Sequence, residues 1–479
     1  MLLHSIARGC GEALMLLGRY PEAEDQLDGA VDFVDDPMSK ATIEVLLGEI
    51  AFKQGHLEEC IKFYESGLRR LGNWVPRSSL GLGWGVIRES VIQTCHTLLP
   101  GRLHKKPAND RTELTVRLFT RLGYPVAFRG TPMYIWAVLA GMNRAERVPK
   151  SPSLAFNYGW HGSVMSAIGW HSRALKYLNR SLEMATEFND IWGEGHSLLW
   201  KGVGYWAMGR YEEGVACMEQ AIERFEKAGD LSELNFARFH LSCCHYSAGN
   251  LADAVKEARE TFELSVRIGD TRANCSLYLW SKAMGGDISF PDLSARFKPN
   301  RSDILSTSNL DKAEGYWHLF HGRPEDAVGA FDRACQQPVK HRVLIYHTVA
   351  GAPALAKALR LSAQQVEQDD PKRAGHLRRR ALRLAKRAAW LSLLFQTERA
   401  ISLRELSLAY ADLGKIRKAL KHAERSCTVA SGQKARYELA QSTLVASRLR
   451  EQLGIPGANE QVQAAEATLR EFEEPISRM

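Results

Sequence analysis

Three glycines, Gly169, Gly209 and Gly249, recur at an interval of 40 residues, and three aspartates, Asp190, Asp230 and Asp270, recur at the same interval. Two periodic sets with one period and a fixed offset commit the chain to a repeated structural unit. The middle unit reads GRYEEGVACMEQAIERFEKAGD and the next GNLADAVKEARETFELSVRIGD. Related copies begin at Gly18, Gly55, Gly322 and Gly414, which makes seven. Five residues after the glycine stand Ala23, Cys60, Ala174, Gly214, Ala254, Ala327 and Ala419. Twelve after it stand Ala30, Gly67, Ser181, Ala221, Thr261, Ala334 and Ser426. Seven before it stand Gly11, Gly48, Gly162, Gly202, Ser242, Gly315 and Ser407. All twenty-one positions hold a small residue.

Each unit therefore reads as two antiparallel helices joined by a tight turn. The glycine supplies the backbone freedom at the turn. The small residues let the two helices, and the next hairpin, approach closely. Larger apolar residues between them, such as Val215, Met218, Ile222 and Phe225, follow helical spacing. Asp190, Asp230 and Asp270 precede the next helix, where a carboxylate caps free backbone N–H groups. One such hairpin cannot bury its apolar face alone, so the units must stack. The small-residue pattern is that of tetratricopeptide repeats, with a period longer than their usual ~34 residues. The expected fold class is all-α, a tetratricopeptide-like solenoid of helical hairpins.

The array divides into N-terminal repeats over 1–72, a divergent helical connector over 73–151, regular repeats over 152–290, and C-terminal repeats with a capping helix over 291–479. Within the connector, residues 73–105 read as irregular, with GLGWG at Gly81–Gly85 as a flexible link. Residues 109–147 read as a divergent hairpin broken by Pro125 and Pro132. A Gly-, Pro-, Ser- and Asp-rich loop is expected over 285–309, and a last helix over about 459–473. No strand pattern is visible.

Composition sharpens this reading. Net charge is only +8 on 479 residues, but Pro371–Trp390 holds eight basic residues and no acidic one. Nine dispersed cysteines with no C-x-x-C pair suit a reducing cytosol, as small apolar residues. The first residues lack the basic and long apolar regions of a signal peptide. The most apolar stretch, Met133–Met142, is about half the ~20 residues of a membrane span. A cytoplasmic location without membrane insertion is expected.

Two runs, WAVLAGMNRAERVPKSPSLAFNYGWH and RALKYLNRSLEMATEFNDIWGEGHSLLWKGVGYWAMGRYEEGV, together with the ending KARYELAQSTLVASRLREQLGIPGA, resemble the helical-repeat region of large bacterial signalling proteins. In those, a serine/threonine kinase-like domain and a STAND-type ATPase domain precede the repeats. The resemblance implies a bacterial, cytoplasmic sensing or regulatory region. The chain departs from the family in its catalytic parts: it has no G-x-x-x-x-G-K-[ST] loop and no H-R-D or D-F-G element. The family's kinase and ATPase activities are therefore carried over to no residue. Either the chain is a piece of such a protein or it is a stand-alone adaptor.

Other candidate chemistry is sparse. GLGWG lacks the third glycine of a nucleotide loop, because Val86 stands there. His240, Cys243, Cys244 and His245 have no second ligand cluster at metal spacing and read as core. His341 and His347, six apart, fall on different helical faces. No cofactor, metal or catalytic residue is expected. Two candidate surfaces remain. Aromatics on the first helices, His196, Trp206, Phe239 and Tyr246, are placed on the groove side, where they would anchor a protein partner. The basic surface Arg378, Arg379, Arg380, Arg383, Lys386 and Arg387 would attract phosphates if nucleic acid were the partner. The main expectation is a non-catalytic scaffold that binds a protein or kinase/ATPase domains of its own chain. Nucleic-acid binding through 371–390 is the alternative.

Overall fold

The computed structural model describes residues 2–31, 33–99, 109–126, 131–167, 169–270, 273–284, 288–296, 304–340 and 349–477. Twenty-three α-helices and no strand occur among them. The fold is an all-α, tetratricopeptide-like solenoid. Its hairpins pair a first with a second helix: α1 (Leu2–Leu16) with α2 (Tyr20–Val31), and α3 (Pro37–Lys53) with α4 (Leu57–Arg70). An additional helix, α5 (Ser79–Leu98), precedes the hairpin of α6 (Asp110–Val126) and α7 (Thr131–Ala145). The regular centre holds α8 (Pro152–Ala167) with α9 (His171–Glu187), α10 (Ile191–Ala207) with α11 (Tyr211–Ala228), and α12 (Leu231–Ala248) with α13 (Leu251–Ile268). Next come α14 (Ala273–Met284) and the short α15 (Phe290–Ala295). The C-terminal hairpins are α16 (Ile304–Phe320) with α17 (Pro324–Lys340), α18 (Gly351–Gln365) with α19 (Pro371–Leu391), α20 (Arg399–Ala411) with α21 (Ile416–Gly432), and α22 (Arg436–Gln452) with α23 (Ala458–Ser477).

The small-residue register explains this regularity. All seven turn glycines adopt positive φ, from +66° to +92°, and all twenty-one small positions are buried. The glycines seven residues before the turn have a specific partner. A Cβ added at Gly11, Gly48, Gly162, Gly202 or Gly315 would lie no farther than 2.8 Å from Leu27, Tyr64, Leu178, Met218 or Phe331 respectively. Each partner stands nine residues after its turn glycine. Where the earlier position is instead Ser242 or Ser407, the later one is Ala258 or Ala423. Bulk removed from one helix is added to the other, so the hairpin keeps one packing distance.

Two of the three expected aspartate caps are seen, and residues 271–272, which follow Asp270, lie outside the described residues. Asp190 accepts from the Gly193 N–H at 2.9 Å, and Asp230 accepts from the N–H groups of Ser232 and Glu233. Twenty residues after a turn glycine the chain again takes positive φ, at Asn189, Gly229, Gly269 and Lys434.

Two segments depart from expectation. Residues 79–98 form α5, with Ser78 as its N-cap accepting from the Gly81 N–H. GLGWG is helical because packing outweighs propensity: the ring of Trp136 occupies the space where a Gly85 Cβ would be, at 2.8 Å. Within the expected loop 285–309, residues 290–295 form α15, started by Ser289 and Pro291, and residues 304–309 already belong to α16.

The array winds back on itself. Lys53 of α3 meets Asp230 before α12 at 3.1 Å, in a buried pair. Further along, a Cβ on Gly169, Gly209 or Gly249 would meet Leu394, Gln433 or Tyr437 of the C-terminal repeats. Lys434 pairs with Glu212, and Arg436 donates to Asn250. The first helices thus face a common superhelical axis.

Candidate functional site

The axis is open at its N-terminal end. A cavity of about 470 Å³ is lined by Glu12 and Met15 of α1, Glu49 and Lys53 of α3, Arg117 and Arg121 of α6, Phe156 and Asn157 of α8, Trp192 of α10 and Glu233 of α12. Every one of these belongs to a first helix. An adjoining smaller recess adds His196, Trp200 and Phe236.

Its centre is Arg121. The guanidinium lies 5.0 Å from the Phe156 ring centroid and 5.4 Å from that of Trp192. Its Nε is 3.0 Å from Glu49 Oε1, which also meets Arg117 at 3.1 Å. Burial alone would raise the Glu49 carboxyl, but Arg121 and Arg117 hold it below its ordinary range. Burial would likewise raise Asp230. Lys53, the Glu233 N–H and the Trp192 indole outweigh it and hold Asp230 down. Trp192 stacks on His196 at 5.2 Å, and Trp200 Nε1 donates to His196 Nε2 at 3.0 Å. That bond places the ring proton on Nδ1. Burial, then the nearby Arg121, depresses His196 to about 3. The wall is therefore rigid, of mixed charge, and aromatic. It is built to hold charge and aromatic surface in place, which suits recognition rather than proton transfer at neutral pH.

The C-terminal part of the axis is nearly filled. Trp206, Tyr246, Tyr278, Tyr437, Lys282, Lys312, Glu398 and Glu438 surround about 40 Å³, little more than a water molecule's share. Lys312 lies 4.2 Å from the Tyr278 ring and Lys282 lies 4.4 Å from that of Tyr246. Burial pushes the Glu398 carboxyl up despite these two lysines.

The four aromatics singled out from sequence are thus distributed rather than gathered. His196 lines the open end, Trp206 and Tyr246 line the filled end, and Phe239 is buried in the core against Phe236 and His240. The residues that line the open cavity, above all Arg121, Phe156 and Trp192, escaped sequence reasoning. Glu49 and Lys53 carried a signal: they are charges inside the otherwise apolar run LLGEIAFK.

The basic surface is partly neutralised. Arg378 pairs with Glu367 at 2.6 Å, Arg380 with Asp332, and Arg373 with Glu325. Arg379, Arg383, Lys386 and Arg387 are exposed on α19 with no ion pair among the described residues. The next second helix, α21, extends this surface with exposed Arg417, Lys418, Lys421 and Arg425. Tyr410 joins the two helices, with Lys386 5.9 Å from its ring and His422 stacked at 5.4 Å. Burial, then Arg425, Lys421 and Arg399, depresses His422.

His240, Cys243 and Cys244 are buried, with Cys244 against Gly214. No group of three or more metal-ligating side chains occurs among the described residues. His341 and His347 lie outside them. No helix among the described residues is long and apolar enough to cross a membrane.

A tetratricopeptide-repeat family model matches residues 195–227, the hairpin of α10 and α11. No curated protein matches the chain. Among solved structures, a Rap protein complexed with Competence and Sporulation Factor has 10% identity, covering 92% of this chain and 99% of that one, with a TM-score of 0.45. Yeast Tom70 has 12% identity, covering 97% and 99%, with a TM-score of 0.38. The apo quorum sensor NprR from B. thuringiensis has 12% identity, covering 87% and 99%, with a TM-score of 0.36. Overlap this loose says nothing about function.

Proposed function

We propose that the chain is a non-catalytic interaction scaffold whose open axial cavity clasps a segment of a partner protein. The observation that carries this reading is the lining itself. Arg121, Trp192 and Phe156 supply the arginine and aromatic surface that dominates binding energy in interfaces. Lys53, Arg117, Glu49 and Glu233 supply charges of both signs, which select a register rather than a net charge. On the family resemblance, the partner is a kinase- or ATPase-type signalling domain, joined to the repeats or acting in trans, in a bacterial cytoplasm.

The test is a photo-crosslinking residue placed at Asn157, with the chain used as bait in soluble lysate treated with nuclease. A discrete crosslinked protein that disappears on Trp192→Ala supports the proposal. Capture that is indifferent to Trp192→Ala and to charge reversal at Arg117 removes the cavity from the account. Phosphotransfer or hydrolysis by the purified chain, lost on a point change, would replace a scaffold with an enzyme.

A second reading is favoured by one observation, the extension of the basic surface from α19 onto α21. Eight exposed cations joined through Tyr410 suit a phosphate backbone. If nucleic acid binds there, log K should fall linearly with log salt, by roughly 0.9 for each phosphate neutralised. Absence of binding at low salt ends this reading.

A further inference from the structure

Helix α5 is mixed on its packed side: Leu82 and Val86 lie against the core around Trp136, beside a buried polar row. Its inner face buries Glu89, Gln93 and His96 against α7. Asn143 Nδ2 donates to Glu89 at 2.8 Å, Gln93 Nε2 donates to Glu146 at 3.3 Å, and His96 Nδ1 lies 2.9 Å from Glu146. Its outer face exposes Leu80, Trp84, Ile87, Val91 and Leu98, each between 58% and 90% accessible. These residues follow the spacing of a helix-pairing seam. Other helices expose large apolar side chains in ones and twos, such as Ile6, Val339 and Trp390, whereas α5 exposes five in one row, and a contiguous apolar face of this kind marks a contact site.

The spacing also says which partner. About residue 89 the exposed positions are symmetric: Leu80 mirrors Leu98, Trp84 mirrors Thr94, and Ile87 mirrors Val91. Gly83, with open space where its Cβ would be, mirrors the exposed Cys95. An antiparallel two-fold pair of α5 helices therefore sets large side chains against large ones at its ends and middle. It also sets each Trp84 against the small pair Thr94 and Cys95. Self-complementarity of this kind, in which i meets j and j meets i, is the requirement of a two-fold interface. The charge on this face is Arg88; the two-fold brings it near its own copy, and its 2.7 Å bond to Glu89 of its own helix partly neutralises it there. Antiparallel packing also opposes the helix dipoles favourably. Six large apolar side chains, counting the half-exposed Leu99, offer on the order of 700 Å² per copy, against about 800 Å² for a standard interface.

We infer that α5 is a homodimerisation helix, pairing antiparallel with α5 of a second copy across a two-fold axis at residue 89. The full chain then sediments as a concentration-dependent dimer. Ile87→Lys and Val91→Glu, both at exposed positions, each raise the dissociation constant at least tenfold with an unchanged circular dichroism spectrum. An equimolar mixture of the two variants recovers association, because residue 87 of one copy meets residue 91 of the other. A monomer at every concentration overturns the inference, as does a dimer indifferent to both charge variants. Binding of the monomer to vesicles of equal phosphatidylcholine and phosphatidylserine, abolished by Ile87→Lys, overturns it in favour of a lipid surface.

Discussion

His161 and His196 are imidazoles that the fold keeps neutral. Burial depresses both to about 3, assisted by Arg173 at His161 and by Arg121 at His196. The unfolded chain titrates near 6.5. Between about 6.5 and 3 the unfolded state therefore binds protons that the folded state does not, and stability falls as pH falls. Each histidine contributes a slope of about 1.4 kcal/mol per pH unit across that window. Urea melts at pH 7.0 and pH 5.5 should show the loss, and His161→Phe should remove its share of the slope. A difference of equal size in wild type and His161→Phe would mean that His161 takes up protons alike in the folded and unfolded chains and is not held neutral by the fold. A second prediction concerns the paired volumes across each hairpin. Gly315→Ser drives an atom into the ring of Phe331, where a Cβ alone would come within 2.7 Å. Overpacking of this kind costs about 1–3 kcal/mol. The chain's own alternative, serine with alanine, predicts that adding Phe331→Ala costs less in that background than in wild type, by about 1 kcal/mol or more. Strict additivity of the two changes would contradict the packing rule.

Helices that follow the repeat could be placed from sequence because small residues register them locally, whereas α5 could not. Its glycines at Gly81, Gly83 and Gly85 carry the signature of a loop, and what makes them helical is Trp136, 51 residues beyond Gly85. Its apolar residues give no clue to its inner side either, because Leu82 and Val86 face inward beside buried polar groups while larger ones face outward. The lining of the cavity was hidden for a related reason. Periodicity assigns a residue to a first helix, but the face that meets the axis depends on how far each hairpin turns against the next. Trp206 and Tyr246 reach the axis, whereas Phe239 turns into the core. Arg121 sits on α6, in the stretch where no copy of the repeat could be aligned. The polar seating of α5 makes its own prediction. Glu146 accepts from Gln93 and meets His96, so Glu146→Ala leaves two buried polar groups without partners. The local cost is about 1–3 kcal/mol. Hydrogen exchange in α5 should speed up accordingly while that of α10–α13 stays unchanged. Equal acceleration everywhere would show that α5 is not a separately opening unit.

Across the whole molecule, the superhelix closes where turn glycines meet another layer of repeats. Gly249 has φ +92° and would set a Cβ 2.9 Å from the Tyr437 backbone nitrogen, whereas Gly414, at +70°, faces open space. Both positions resist a side chain by about 1–2 kcal/mol through backbone strain. Only Gly249→Ala must also push the C-terminal repeats away, so it should lose more stability than Gly414→Ala and increase the radius of gyration. At the other closure, Lys53 and Asp230 are buried together, and Asp230 also caps α12 and accepts from Trp192 at 3.1 Å. Asp230→Asn keeps one oxygen for the α12 cap, but it sets an amide NH2 against the Trp192 indole N–H and removes the charge that pairs with Lys53, at a cost of about 3–5 kcal/mol. The first two hairpins should then swing away from the centre and widen the open cavity, seen as a larger radius of gyration by X-ray scattering. Acid should do the same to wild type. The Asp230 carboxyl is held below its ordinary value, so its contribution is complete above that value and is lost as pH falls through the folded one. The wild-type radius should therefore rise only below the carboxylate range, whereas that of Asp230→Asn should be large already at pH 7. If the two radii coincide at pH 7, the Lys53–Asp230 pair does not hold the superhelix shut, and the cavity's width must be set by helix packing alone.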